Sequence, residues 1–291
     1  MATEAVLPSD ARARELARIY ASAQRAIVAQ VQAALRSGNL FRATERRMQL
    51  AAVLALLDQL GAATDPLARD LARQAFTDGA LIARRDLARA AGVRIGSVQV
   101  PASFTGVSRD AVLTLEDSIL GRLRTARQTV GRRVDDVYAR AGRRQALRSL
   151  LGAEGSPRAA TRALSRDLRR RGVTGFVDKA GKRWALDTYS EMVVRTVTRE
   201  AVVQGQLTRM ASHGVNLARV STHSSSCSIC VPYEGRLVSL DGATPEFQGE
   251  AVADIGAVPT PPFHPNCRHT LQPVVQDIEL LRQEMGAEGG I

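Results

Sequence analysis

Apolar residues recur every three or four positions through much of the chain before residue 172, which is the spacing of one face of an α-helix. The first such run predicts a helix over residues 10–36, which ends where Ser37, Gly38 and Asn39 interrupt the pattern. The apolar stripe of this helix consists of Leu16, Ile19, Tyr20, Ala23, Ile27, Val31 and Leu35.

Two more helices are predicted before residue 92. One covers residues 42–60 and stops at Gly61. The next starts with Asp65 as its cap and Pro66 at its first position, where the missing N–H of proline costs nothing, and it runs to residue 91. Residues 92–106 combine Gly, Pro, Ser and β-branched residues, and they predict a linker.

The helical pattern resumes at Ser108, a predicted N-cap, and continues to about residue 141. A shorter helix is predicted over residues 143–151, and another begins at Ser156 and Pro157. Arginines at spacings near four lie on one broad face of this last helix: Arg158, Arg162, Arg166, Arg169 and Arg170.

The pattern changes at residue 175. Residues 175–178 and 183–186 predict a β-hairpin, and a helix follows from Asp187 or Thr188 to about residue 213. Short β segments are predicted over residues 218–223 and 236–240, loops over 241–263, a last short helix after Gln276 and a disordered tail. Trp184 and Phe176 are expected to clamp the hairpin on the following helix, since no further aromatic residues flank them to form a base-stacking surface.

The predicted fold is mainly α with a small α+β C-terminal module. A helical N-terminal region occupies residues 1–95, and a basic helical segment occupies residues 104–172. A hairpin-helix and Cys/His-stapled module occupies residues 173–275, and a tail occupies residues 276–291.

Net positive charge is concentrated in one segment. The formal charge is +11, and residues 122–171 alone hold fifteen arginines against four acidic residues. Such a block is the electrostatic footprint of a protein that binds a polyanion, although a solvated helix surface in a protein with a codon bias towards arginine is the alternative. The arginines at 158, 162, 166, 169 and 170 are therefore candidate nucleic-acid contacts. No apolar stretch of eighteen residues and no signal peptide is recognised, so we expect no transmembrane helix and a cytoplasmic protein.

All four histidines and all three cysteines lie between residues 213 and 269. Cys227 and Cys230 form a C-x-x-C motif, and His264, Cys267 and His269 form an H-x-x-C-x-H motif. Zinc prefers thiolate and imidazole ligands in a tetrahedron, so the pattern predicts a structural zinc on the three cysteines and on either His264 or His269. Such a site contributes on the order of 10 kcal/mol to the folding of a loop-rich module.

Other interpretations of these residues remain open. In one, Cys227 and Cys230 form a redox pair, although no thioredoxin-like pattern surrounds these two cysteines. In another, all three cysteines are plain thiols and the histidines make ordinary hydrogen bonds. A zinc deaminase is excluded because no H-x-E motif is present. A catalytic zinc in a nuclease would use His223 or His269 as its spare histidine, and Cys267 paired with either of them is a further candidate nucleophile.

Three segments resemble the phage minor capsid protein 2 family and the broader Mu F-like head morphogenesis proteins of tailed phages. They are GVTGFVDKAGKRWALDTYSEMVVRT, SSSCSICVPYEGRLVSL and PPFHPNCRHTLQPV, within residues 104–275 and in the order of the family. The five Cys/His residues fall on the family's motif. The resemblance implies a virion protein inside the phage head near the portal, present in the host cytoplasm during assembly.

The resemblance implies portal and capsid proteins as partners, a few copies per particle and contact with packaged double-stranded DNA without sequence specificity. The leading hypothesis is therefore a structural minor capsid or head morphogenesis protein, not an enzyme. The alternative is a zinc-dependent hydrolase, a nuclease or peptidase that acts in phage DNA delivery. A host DNA-binding regulator is a third option, which the lack of a helix-turn-helix pattern disfavours.

Overall fold

Long helices dominate the structure, a computed structural model. It describes residues 7–92, 106–150, 175–177, 181–223, 227–264 and 267–288. Within these residues the helices are α1 (Pro8–Ser37), α2 (Ala43–Ala91), α3 (Gly106–Leu150), α4 (Leu186–Ser212) and α5 (Ile278–Glu288). With the small sheet described below, they confirm the predicted fold class, mainly α with a small α+β module near the C-terminus.

Helix α2 is continuous, so the predicted break between residues 60 and 65 is wrong. Gly61 does not end a helix; a Cβ atom built there would lie 3.1 Å from the guanidinium of Arg127, so the glycine serves packing. Asp65 pairs with that same guanidinium instead of acting as a cap. Pro66 therefore lies inside the helix. The contact between Asp65 and Arg127 belongs to the packing of a continuous helix, which the local sequence signals did not indicate.

Helix α3 is also continuous, which corrects the predicted division between residues 141 and 143. Gly142 again serves packing, since a Cβ atom there would lie 2.5 Å from the backbone oxygen of Leu40. The predicted linker core at 93–105 and the arginine-rich helix after Ser156 lie outside the described residues.

The predicted hairpin is confirmed as strands β1 (Phe176–Val177) and β2 (Arg183–Trp184), which pair antiparallel. The Trp184 ring meets the edge of Tyr189 in the first turn of α4, with 5.9 Å between ring centroids. The Lys182 ammonium lies 4.1 Å from the centroid of the Trp184 ring.

A five-stranded sheet with the order β5-β6-β4-β3-β7 follows α4. Its strands are β3 (Leu217–Val220), β4 (Leu237–Ser239), β5 (Glu246–Phe247), β6 (Glu250–Asp254) and β7 (Leu271–Pro273). All pairs are antiparallel except β4 with β6. Strands β3 and β4 confirm the prediction, whereas β5, β6 and β7 were not predicted, because short strands are defined by their partners more than by their own sequence.

The chain divides into two compact units. One contains Met1–Ala13, Arg69–Ile119 and Val194–Ile291, and the other contains Arg14–Ala68 and Leu120–Val193. In the first unit, buried Leu87 of α2, Met210 of α4, Leu271 of β7 and Leu281 of α5 share one apolar core. The domain boundaries given from the sequence stay a prediction.

Within the first unit, α2 and α4 approach each other backbone to backbone. A Cβ atom on Gly79 would overlap the carbonyl of Val202, and one on Gly205 would overlap the carbonyl of Phe76. Only a residue without a side chain fits at either position, so these two glycines fix where the helices cross.

Within the second unit, Arg127 is the centre of a buried polar network. Its Nη1 donates to the Tyr20 hydroxyl at 2.8 Å, and its Nη2 donates to the Asp65 carboxylate at 3.0 Å. Burial raises the pKa of Tyr20, against the opposing effect of Arg127, so Tyr20 stays a neutral phenol. The charge of Arg127 is thus balanced by Asp65 inside the unit.

One helix in the described part of the chain, α2, is long and apolar enough to cross a membrane by length and composition alone. Its most apolar eighteen-residue window has a mean hydropathy of 1.3 and is 28% buried. Core helices pass the same test, and α2 contributes Val53 and Leu57 to the buried interior. That the chain has no membrane span stays a prediction.

Substituting Gly79→Ala or Gly205→Ala is expected to lower the free energy of unfolding by about 3 kcal/mol, because the added methyl group forces the two backbones apart. Urea denaturation followed by circular dichroism measures this change. Gly121→Ala in α3 is the control, since a Cβ there meets nothing within 4 Å. It should be neutral or stabilising, because alanine favours helix. Equal stability of all three variants would contradict the close crossing.

Replacing Arg127 with Met is expected to lower the free energy of unfolding by about 3 kcal/mol, because half-buried Asp65 loses its ion-pair partner and buried Tyr20 loses a hydrogen-bond donor. Arg124→Met is the matched control, as Arg124 is exposed on the same helix. It should change stability by less than about 0.5 kcal/mol. Equal free energies of unfolding for the two variants, in the same urea denaturation assay, would contradict a stabilising role for the network.

Candidate metal centre

The C-x-x-C motif forms a tight turn that brings two sulfur atoms to one side. The N–H groups of Cys230 and Val231 both donate to the Cys227 carbonyl, at 3.0 and 3.1 Å. A single 3-10 turn, Val231–Tyr233, continues from it. The sulfurs of Cys227 and Cys230 are consequently 3.6 Å apart.

The second motif lies just before β7. The Cys267 N–H donates to the His264 carbonyl at 2.9 Å, which forms another turn. The Thr270 N–H donates to Ser221 Oγ at 3.0 Å, and the Ser221 N–H donates to the Thr270 carbonyl at 3.0 Å. These bonds join the segment to the end of β3, and the sheet therefore brings together two motifs that are far apart in the sequence.

The structure brings all five predicted metal-binding residues together. The sulfurs of Cys230 and Cys267 are 3.9 Å apart, Cys227 Sγ is 3.3 Å from His264 Nε2, and Cys267 Sγ is 3.5 Å from His269 Nδ1. Zinc–sulfur bonds of about 2.3 Å in a tetrahedron place neighbouring ligand atoms roughly 3.5 to 3.8 Å apart. These neighbouring pairs of donor atoms thus have separations close to those around a tetrahedral zinc ion.

The donor atoms form two overlapping groups with Cys230 in common. One group is Cys227, Cys230 and His264, and the other is Cys230, Cys267 and His269; within each, the donor atoms lie within 4.8 Å of one another. Four protein ligands saturate a structural zinc, so one of the two histidines is in excess. The geometry keeps both histidines as candidates.

Glu234 is a part of the site that the sequence analysis missed. One of its carboxylate oxygens, Oε1, accepts a hydrogen bond from His269 Nε2 at 2.6 Å and another from the His223 N–H at 2.9 Å. A carboxylate on the outer nitrogen of a histidine fixes the tautomer and leaves the inner nitrogen free for a metal. The only signal in the sequence was an acidic residue four positions after Cys230.

His223 lies beside the centre without belonging to either group of donors. Its ring meets the His269 ring edge-on, with 4.6 Å between centroids, and its Nε2 is 3.4 Å from Ser221 Oγ. Phe263 stacks on Tyr233, with 4.7 Å between ring centroids, and its own ring lies 5.9 Å from that of His269. Aromatic rings therefore pack around His269.

The thiols of Cys227 and Cys230 have pKa values shifted in opposite directions. Cys230 and Cys267 are 1% and 3% exposed, whereas Cys227 is exposed. Burial raises the pKa of Cys230 to about 12, and the Cys230 N–H lowers the pKa of Cys227. A buried thiolate needs a nearby cation, so metal binding here would be coupled to proton release.

The predicted nucleic-acid contacts Arg158, Arg162, Arg166, Arg169 and Arg170 lie outside the described residues. Their role stays a prediction. Inside the described ranges, the candidate clusters of metal-binding side chains are the two groups around Cys230.

Comparison with known proteins gives two matches. The profile of the phage minor capsid protein 2 family matches residues 10–287. A protein named "Structural protein" from Lactococcus phage LL-H is 27% identical over 115 residues, which cover 38% of this chain and 31% of that protein. The chain thus aligns with less than a third of that relative. No solved structure matches the chain.

Proposed function

We propose that this chain, which belongs to the phage minor capsid protein 2 family, is a structural minor capsid protein of a phage head. In this proposal it lies inside the head near the portal, in a few copies per particle, and contacts portal and capsid proteins. The name of the phage relative, "Structural protein", supports a structural role.

The observation that carries the proposal is the cluster of three thiols and two histidines. Its residues come from two loops next to the sheet, and those loops have few buried apolar side chains of their own. We propose one zinc ion on Cys227, Cys230 and Cys267 and on one of His264 and His269. The ion would stabilise the module by joining the loops, and the helices would remain free to contact partners.

A structural zinc also favours assembly over hydrolysis as the role of the centre. Zinc hydrolases keep one coordination position open for water. Three thiolates and a histidine fill all four positions, and Glu234 engages the outer nitrogen of His269. We therefore assign no enzymatic activity to this module.

The arginine-rich segment is proposed to lie against packaged DNA. Arginines neutralise phosphates without reading base sequence, as a protein beside densely packed DNA requires. The residues are Arg158, Arg162, Arg166, Arg169 and Arg170.

Purified protein is expected to contain about one zinc ion per chain, and Cys230→Ser should lose it together with part of its folded C-terminal module. Native mass spectrometry and elemental analysis measure the metal. Ser228→Ala, inside the same turn, is the control that should retain it.

The same assay on His264→Gln and His269→Gln identifies the fourth ligand. Zinc should be lost or weakened strongly in one variant and retained in the other. Wild-type protein without metal, when prepared without chelators, would contradict the zinc centre.

Purified phage particles are expected to contain the protein at a few copies relative to the major capsid protein, and intact heads should protect it from added protease. Quantitative mass spectrometry before and after protease treatment measures both. A protein of the virion exterior serves as the digestion control. Absence of the chain from mature particles, or its digestion in intact heads, would refute the internal location.

A further inference from the structure

The turn between α1 and α2 is held against α3 by contacts inside the second unit. The Phe41 N–H donates to Gln145 Oε1 at 3.2 Å, and Gly142 lies against the carbonyl of Leu40. Arg46 Nη1 donates to that carbonyl at 3.3 Å. Residues 40–46 and 142–145 therefore meet at one place.

This meeting point gathers positive charge from two separate parts of the chain. Arg42 directly precedes α2, Arg46 and Arg47 lie in its first turns, and Arg143 and Arg144 come from α3, next to the glycine that touches the turn. Four of these five arginines are exposed, and Arg46 is half-buried. We call the five residues the turn cluster.

The charge of the turn cluster is not neutralised by the described residues around it. None of its arginines forms an ion pair within the described ranges. Glu45, on the same turn, accepts a hydrogen bond from Gln49, and Asp136 lies two helical turns before Arg143, about 10 Å along the axis. Five arginines against Glu45 leave this surface with a net positive charge, whereas a solvated helix surface of ordinary composition balances the two signs.

An exposed aromatic residue lies in the middle of the turn cluster. Phe41 is 43% exposed, and the Arg42 guanidinium lies 5.5 Å from the centroid of its ring. In proteins that bind single strands, exposed aromatic rings beside arginines contact the nucleic acid. The start of α2 adds its own partial positive charge at the same place.

We propose that the turn cluster binds the phosphate backbone of double-stranded DNA. The guanidinium groups would each bind a phosphate, as arginine does bidentately, and Phe41 would contact the sugars. DNA fits better than an acidic protein, because it presents one charge per about 1.7 Å of helix, a density that suits a surface with several exposed arginines. This site is distinct from residues 158–170, and it rests on the proposed function in placing the chain beside DNA.

The test compares two variants of the full chain with equal loss of charge. The first, Arg42→Gln with Arg47→Gln, Arg143→Gln and Arg144→Gln, removes the four exposed arginines of the turn cluster. The control removes four exposed arginines of α1, namely Arg12, Arg14, Arg18 and Arg25, in the same way. Circular dichroism verifies that both variants are folded.

Binding to a labelled 30-base-pair DNA duplex is measured by fluorescence anisotropy over a series of NaCl concentrations. The turn-cluster variant should bind at least tenfold more weakly at about 0.15 M salt. Its salt slope should be shallower by about 3.6, because four phosphates are no longer neutralised and each changes the slope by about 0.9. The control should bind within about threefold of wild type. Equal weakening of both variants, or none in the first, would overturn the inference.

Two further arms separate the possible failures. A variant with glutamine at Arg158, Arg162, Arg166, Arg169 and Arg170 tests the DNA contact of the proposed function. If only that variant binds DNA more weakly, the DNA contact of the proposed function stands and the inference about the turn cluster fails. If the wild-type protein does not bind DNA, both claims fail. Labelled polyglutamate is the second probe. If the protein binds polyglutamate more tightly than DNA, and loses that binding in the turn-cluster variant, the surface belongs to an acidic protein and the inference is overturned.

Discussion

The close crossing of α2 and α4 is the constraint on which the first unit depends. Gly79 and Gly205 let the two backbones touch, and this contact fixes the position from which α4 enters β3. The apolar core that α2, α4 and α5 share with the sheet is built around that position. Because the Cys/His loops are attached to the ends of the strands, the position of the donor cluster depends on a helix crossing that two glycines make possible.

The two units use buried polar groups in different ways. In the second unit, Arg127 is paired with Tyr20 and Asp65, so its charge stabilises packing without any ligand. In the first unit, the buried thiols of Cys230 and Cys267 lie 3.9 Å apart and would need a cationic partner in order to ionise. A bound cation would provide one. This contrast explains why the arginine network is assigned to folding and the thiol cluster to metal binding.

Local sequence patterns predicted much of the fold, and the wrongly predicted helix boundaries share one cause. Helix α1, the hairpin and α4 followed from periodicity and capping signals. Gly61, Gly142 and Pro66 were interpreted as helix boundaries, because glycine and proline usually punctuate helices in a sequence. In the structure each glycine makes room for a distant group, either the guanidinium of Arg127 or the carbonyl of Leu40. Such contacts join residues about 65 to 100 positions apart and leave no local signature.

The sequence by itself determined the candidate metal ligands and the helical class of the protein, since both depend on residue identity and short-range spacing. It also located the five Cys/His residues that come together, because thiols and imidazoles are rare in this chain. Tertiary structure alone decided that Glu234 holds His269 and that the turn before α2 meets α3 at Gln145. These are pairings between distant segments, and they follow from how the helices and strands pack, which no single segment specifies.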